Sequence, residues 1–266
     1  PYFAEMAEEY LAGVENIIFI GSRPPVSFFA YPGKKSFLSP DKANLIEVAT
    51  PEQDGKYALK ALNDLCKGKK IDSSFLPSGL IDTPIGGELN VKNLGPLMAS
   101  LLPEDTIISN ESGTSGFIFA SYIWDAKPCD WLSITGGSIG QGIPVATGAA
   151  VAAPDRPVVC LQGDGGAMYT IQALWTQARE GLNVTNIIFS NKSYAILQVE
   201  LERVGALETG DRANSMLSMD NPEIDWVSLS KSLGVPAKRT VTVEEFRKAF
   251  SDGLVSEGPS LIEIIV

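Results

Sequence analysis

The 266-residue sequence contains no histidine and only three cysteines, Cys66, Cys129 and Cys160. These cysteines are widely spaced and form no Cys-x-x-Cys pair, so neither a disulfide framework nor a Cys/His zinc site is expected, and a reducing, cytoplasmic compartment is. Long apolar runs are also missing. Those at 17–20 and 157–161 fall far short of the roughly 20 residues that a membrane span requires. The opening Pro1-Tyr2-Phe3-Ala4-Glu5 is acidic and lacks the pattern of a secretory signal. Basic clusters are lacking too: 21 Lys and Arg stand against 32 Asp and Glu, for a net charge of −11. Such a chain offers no electrostatic footprint for nucleic acid or anionic lipid.

What is there is 44% hydrophobic and 20% charged, the balance of a folded globular protein. The length accommodates one core plus a smaller, partial one. A chain that opens on Pro1 already in an amphipathic pattern is expected to begin inside a longer protein. Apolar runs between breakers predict a helix over 2–12, strands over 16–20 and 44–49, and a helix over 53–67. This set reads as the tail of a second α/β domain, residues 1–70, too small to stand alone. A Gly-, Lys-, Ser- and Pro-rich connection over 71–87 separates it from a domain over 88–266.

Through 88–266 helices and strands alternate. Helices are expected over 91–102, 114–122, 141–153, 169–180, 226–233 and 243–252; strands over 106–109, 131–134, 157–161, 184–189, near 237 and over 260–266. This alternation, with continuously apolar strands, predicts an α/β fold: a doubly wound parallel sheet with helices on both faces. In such sheets ligands bind beyond the carboxyl ends of the strands.

The residues at two of those ends carry chemistry. The strand at 157–161 runs into Gln162-Gly163-Asp164-Gly165-Gly166, a carboxylate among glycines whose backbone lets a phosphate approach. The next strand ends in Ser190-Asn191-Lys192-Ser193-Tyr194. One βαβ turn takes about 30 residues, so Asp164 and Asn191 stand at equivalent ends of successive strands. Two oxygen ligands placed so can share one Mg²⁺, which takes few ligands from protein and the rest from phosphate and water. Each has a plainer reading alone: Gly-Asp-Gly as a turn with a helix cap, and Ser-Asn-Lys-Ser as a simple turn. Glu111 reads as a capping or dipole-compensating group. A Rossmann-type dinucleotide-binding module is the alternative for residues 136–142, but Gly137-x-x-Gly140-x-Gly142 reverses the order that its fingerprint needs.

Gly163-Asp164-Gly165 followed by Asn191 resembles the signature of the thiamine-diphosphate (ThDP) enzyme superfamily. Asn110-Glu111-Ser112, Gly136-Gly137-Ser138-Ile139-Gly140, Ala173-Leu174-Trp175 and Pro259-Ser260-Leu261-Ile262-Glu263 extend the resemblance over most of the chain. It is strongest toward acetolactate synthase-like and benzoylformate decarboxylase-like members. The resemblance implies that Asp164, the Asn191 side chain and the Ser193 carbonyl bind Mg²⁺. It puts Gly113, Thr114, Gly165, Gly166 and Tyr194 along the diphosphate, the Gly137 carbonyl against the aminopyrimidine, and Ile139 under the cofactor. Ile196 and Leu197 would wall the substrate pocket. Taken singly, Ile139, Ile196 and Leu197 read as packing residues.

Two positions depart from the family pattern. Ser190-Asn191 replaces the usual Asn-Asn pair and keeps the ligand, and Glu200 stands where biosynthetic acetohydroxyacid synthases carry a tryptophan. The implied reaction is cleavage or ligation of a C–C bond next to the carbonyl of a small 2-oxo acid, in a homodimer or homotetramer. The activating glutamate would come from a pyrimidine-binding domain for which this chain has no room. No catalytic residue is therefore assigned, and this cofactor-binding half is expected to be inactive alone. FAD is possible in the full-length protein, with no support in these residues; a non-catalytic ThDP-binding subunit is the other alternative.

Overall fold

In the computed structural model, which describes residues 2–66, 83–123, 126–206 and 210–266, the chain divides into two units, Pro1–Phe75 and Leu76–Val266. The first holds α1 (Ala4–Leu11), β1 (Asn16–Ile20), β2 (Asn44–Ala49) and α2 (Gly55–Leu65). Both strands fall where the apolar runs predict them. They pair in parallel, with Asn16 opposite Asn44. Asp54 caps helix α2: its carboxylate accepts the Tyr57 N–H at 3.0 Å, satisfying one of the orphan donors of the first turn. Of β2, only Ala49 is buried; Leu45, Ile46 and Val48 are exposed.

The second unit runs α3 (Val91–Leu101), β3 (Thr106–Glu111), a 3₁₀ turn (Gly113–Gly116), α4 (Phe117–Tyr122), β4 (Cys129–Ser133), α5 (Gly142–Ala152), β5 (Val158–Gly163) and α6 (Asp164–Thr170). It continues with α7 (Ala173–Glu180), β6 (Val184–Ser190), α8 (Ala195–Arg203), α9 (Asp211–Leu217), α10 (Trp226–Ser232), β7 (Ala237–Thr240), α11 (Val243–Leu254) and β8 (Ser260–Ile265). Six strands form one sheet in the order β4-β3-β5-β6-β8-β7, every neighbouring pair parallel. Strand side chains alternate between faces, and both faces are covered. On one side Ile108, Leu161, Ile187 and Ile264 pack with Leu97 of α3 and Phe246 and Phe250 of α11. On the other, Cys160, Val184, Ile188 and Leu261 pack with Ile143 of α5, Leu174 of α7 and Trp226 of α10. The expected doubly wound parallel sheet is what the chain forms.

Of the connection at 71–87, residues 71–82 lie outside the described residues. Its end is held along α11: the Gly87 carbonyl accepts the Val243 N–H at 2.9 Å, and Arg247 donates to the Pro84 carbonyl at 2.9 Å. Two differences from the expected elements bear on function. The helix expected over 169–180 is two helices, and the first begins at Asp164. Residues 195–217, for which no element is predicted, carry α8 and α9.

Phe246 is fully buried and stacks on Phe250, ring centroids 5.6 Å apart. Phe246→Ala is expected to cost about 3–5 kcal/mol through lost transfer energy and the cavity left behind. Urea denaturation of the variant against the parent chain checks this.

Candidate functional site

The order β4-β3-β5 places the reversal of winding at β3, so the carboxyl ends of β3, β5 and β6 open onto one crevice. The register aligns them: Glu111 pairs with Gln162, and Gly163 with Phe189. Each chain therefore leaves the sheet at nearly one level, into the loops that begin at Ser112, Asp164 and Asn191. A cavity of about 430 Å³ lies over these ends.

The structure brings eleven of the twelve expected site residues to this cavity. Gly113 and Thr114 come from the 3₁₀ turn, Ile139 from the loop before α5, Asp164, Gly165 and Gly166 from the start of α6, and Asn191, Ser193, Tyr194, Ile196 and Leu197 from β6 onward. Gly137 lies outside its lining; the Gly137 carbonyl accepts the Ile139 N–H at 2.9 Å, which leaves the second lone pair for another donor.

Asp164 is the polar centre of this arrangement and is only 3% exposed. One carboxylate oxygen accepts the Gly165 N–H at 2.8 Å, the other the Lys192 N–H at 2.7 Å. The second bond crosses from the end of β5 to the end of β6, so one side chain joins the two loops. Burial pushes the Asp164 carboxyl above its ordinary range, opposed by those backbone N–H donors. The Asn191 side-chain oxygen accepts the Ser193 N–H at 3.0 Å, and Lys192 between them has φ +55°. This tight turn directs Asn191 and Ser193 to the same side as Asp164, all three lining the cavity. The far side of the turn is clamped: Tyr194 N–H donates to the Leu217 carbonyl at 2.9 Å, and Met219 N–H to the Lys192 carbonyl at 2.8 Å.

A desolvated carboxylate, an amide oxygen and backbone carbonyls are hard oxygen donors suited to a cation such as Mg²⁺. Space beside them is reserved for backbone: a Cβ on Gly165 would lie 2.8 Å from the Tyr194 ring, and one on Gly166 would lie 2.6 Å from a Glu111 oxygen. Gly113 has φ +58°, a conformation that glycine adopts without strain. The polar cradle of residues 113–114 and 164–166 is therefore built to let a phosphate-sized group close on the main chain, and these residues fit a metal-bound diphosphate.

The rest of the wall is apolar. Ile196 and Leu197 open α8, Met216 and Leu217 close α9, and Phe189 ends β6. Sequence reading missed Met216 and Leu217 as lining residues, because α9 is brought in by the clamp at Leu217 and leaves no local signal; it also left out Tyr169 of α6 and Ser112. It also missed the reach of Glu111. This residue caps, as its position suggested, but the N–H groups it satisfies belong to Gly140 and Gly142, before and at the start of α5, each at 2.6 Å.

The pattern described as "Thiamine pyrophosphate enzyme, C-terminal TPP binding domain" matches residues 111–264, a span that contains the cavity's polar wall. A Mycobacterium tuberculosis (strain H37Rv) protein, IlvX, named after the acetolactate synthase large subunit, is 42% identical over 266 residues, 100% of this chain and 51% of that protein. The benzoylformate decarboxylase of Pseudomonas aeruginosa is 31% identical over 179 residues, 67% of this chain and 33% of that enzyme. Among solved structures, the thiamine diphosphate-dependent 4-hydroxybenzoylformate decarboxylase of Rhodococcus jostii RHA1 superposes with a TM-score of 0.79 at 27% identity, covering 100% of this chain and 51% of that one. The chain thus spans about half the length of relatives that it matches throughout.

The raised Asp164 carboxyl has a signed consequence for the metal-free protein. Protonation is favoured in the folded state above the ordinary value of 3.8. The proton-linked stability is therefore fully present below that value and is lost as pH rises through the raised one. With a chelator present, the stability of the parent chain relative to Asp164→Asn is expected to fall as pH rises from about 4 toward 7. Urea titrations across that range measure it; a flat difference means that Asp164 is not desolvated as described.

Proposed function

From the membership of this chain in the thiamine pyrophosphate enzyme family, whose C-terminal TPP binding domain it carries, we propose that the cavity over β3, β5 and β6 binds ThDP through a bridging Mg²⁺. Asp164, the Asn191 side-chain oxygen and the Ser193 carbonyl hold the metal. Gly113, Thr114, Gly165, Gly166 and Tyr194 line the diphosphate, the Gly137 carbonyl meets the aminopyrimidine, and Ile139 supports the cofactor from below. The single observation that carries this reading is the buried Asp164 carboxylate, which spans both loops and lies among glycines with no room for a side chain.

The activity supported for the full-length protein is cleavage or ligation of a C–C bond next to the carbonyl of a small 2-oxo acid. Relatives named for acetolactate synthase and for benzoylformate decarboxylase support it in common. When bound, ThDP supplies a carbon nucleophile and an electron sink for that bond. The chain's own residues bind and orient. Both carboxylates of the cavity wall, Glu111 and Asp164, are each engaged by two backbone N–H groups, and the sequence has no histidine to move a proton. Acid–base groups, among them the activating glutamate, are then expected from a pyrimidine-binding domain outside this chain, so the chain alone is expected to be inactive. Ile196 and Leu197, with Met216 across from them, give the substrate end an apolar wall.

Assembly as a homodimer or homotetramer is supported by apolar groups exposed around the cofactor loops. Ile139 is 55% exposed and Tyr169 62%, and Met168 and Trp175 are exposed on α6 and α7. Among the described residues no helix is long and apolar enough to cross a membrane. A reducing, cytoplasmic setting is the location proposed with this reading, from the wide spacing of the three cysteines in the sequence.

Calorimetric titration of the chain with ThDP tests the proposal. Heat is expected only with Mg²⁺ present, and is expected to vanish in Asp164→Ala and Asn191→Ala variants that keep the parent's circular dichroism. Absence of Mg²⁺-dependent binding both in this chain and in the full-length protein would overturn the reading.

A further inference from the structure

Three glycines with positive φ lie in the six residues before α5: Gly136 at +61°, Gly137 at +69° and Gly140 at +91°. A segment so rich in glycine loses much conformational freedom when it becomes fixed, so its geometry has to be imposed from outside. Ile139, in the middle of it, is 55% exposed and lines the cavity. What places Ile139 is therefore a question about its neighbours.

Gly140 is held from two sides. Its N–H donates to one Glu111 oxygen at 2.6 Å, and its carbonyl accepts the Thr170 hydroxyl at 2.6 Å. The other Glu111 oxygen accepts the Gly142 N–H, the first residue of α5, also at 2.6 Å. Glu111 is 8% exposed and ends β3, one residue before the loop that leads into Gly113 and Thr114. Its register partner Gln162 stands on the same face of the sheet, just before Gly163 and Asp164. Both side chains close on Gly166, where a Cβ would lie 2.6 Å from Glu111 Oε1 and 2.7 Å from Gln162 Nε2. A single buried carboxylate thus ties the glycine-rich Ile139 segment to the end of β3, the strand that leads into Gly113 and Thr114 and pairs with β5. Hydrogen bonds to a charged acceptor are shorter and stronger than neutral ones, and α5, with 11 residues, adds a favourable dipole at its N-terminus.

Resting on the ThDP reading of the site, we propose that Glu111 is a positioning residue: it fixes the height of Ile139 over the cavity and so sets the grip on the ring end of the cofactor, separately from the grip on its diphosphate. A glutamine has one acceptor oxygen and would turn its NH₂ toward one of the two N–H donors. An aspartate keeps the charge and, one methylene shorter, loses the reach.

The experiment is equilibrium dialysis of the chain with Mg²⁺·ThDP and, separately, with Mg²⁺·pyrophosphate, for the parent, Glu111→Gln and Glu111→Asp. The parent is expected to bind both. Glu111→Gln is expected to bind pyrophosphate within about twofold of the parent and ThDP roughly tenfold or more weakly, in line with one lost charged hydrogen bond. Glu111→Asp should show the same split, so it carries the test if the glutamine variant does not fold. Amide exchange in the glutamine variant is expected to quicken at 136–142 and stay unchanged in β5 and β6. Undiminished ThDP affinity, or equal losses for both ligands, would overturn this inference alone. Binding of neither ligand, by this chain and by the full-length protein alike, would overturn the cofactor reading and this inference with it.

Discussion

The site depends on one hydrogen bond between neighbouring strand ends, from the Lys192 N–H to the buried Asp164 carboxylate. Parallel strands alone deliver their loops to the same edge; they do not lock those loops together. Asp164 does so, and in turn it is desolvated and pushed toward the protonated form. The backbone N–H groups oppose that shift in part, and a cation bound beside the carboxylate would further offset the cost of its burial. The same side chain thus organises the loops and leaves a demand for positive charge. Lys192, whose N–H binds that carboxylate, turns its ammonium to Glu223 instead, at 2.9 Å.

Around that bond the sheet provides two further constraints. Register puts Glu111 beside Gln162 and Gly163 beside Phe189, so the loops leave the sheet at one level. Glycine at 165, 166 and 142 then removes the side chains that would keep those loops apart: Cβ atoms there would run into the Tyr194 ring, Glu111 and Gln162. The cradle is close-packed on its protein side and open on its ligand side. Glu111 extends the same order to the Ile139 loop, which has little conformational preference of its own.

Much of this was legible in the sequence, and for identifiable reasons. Strands β1 and β2 coincide with the apolar runs that predict them, and the alternation over 88–266 leads to the parallel sheet with both faces covered. Asp164 and Asn191 could be paired because βαβ geometry fixes what lies at equivalent strand ends. The start of α6 was not legible, because Gly165 and Gly166 have poor helix propensity and are small where Glu111, Gln162 and Tyr194 crowd the backbone. Helices α8 and α9 went unread for a related reason: neither has a buried residue to mark an inward face, and α9 is located by main-chain bonds around Leu217 and Met219. Glu111 was legible as a cap, but its partners lie 29 and 31 residues away, a separation that only the crossover through β4 explains.

The central claim is that Asp164 and Asn191 hold a divalent cation against a diphosphate. Phosphorus NMR of ThDP with the chain and substoichiometric Mn²⁺ reads that contact directly, since the paramagnetic ion broadens only phosphorus nuclei close to it. The account predicts that both phosphorus signals broaden in the presence of the parent chain beyond what Mn²⁺ and ThDP show alone, and that Asn191→Ala removes the added effect. Equal broadening with the parent chain, with the variant and with no protein would contradict it.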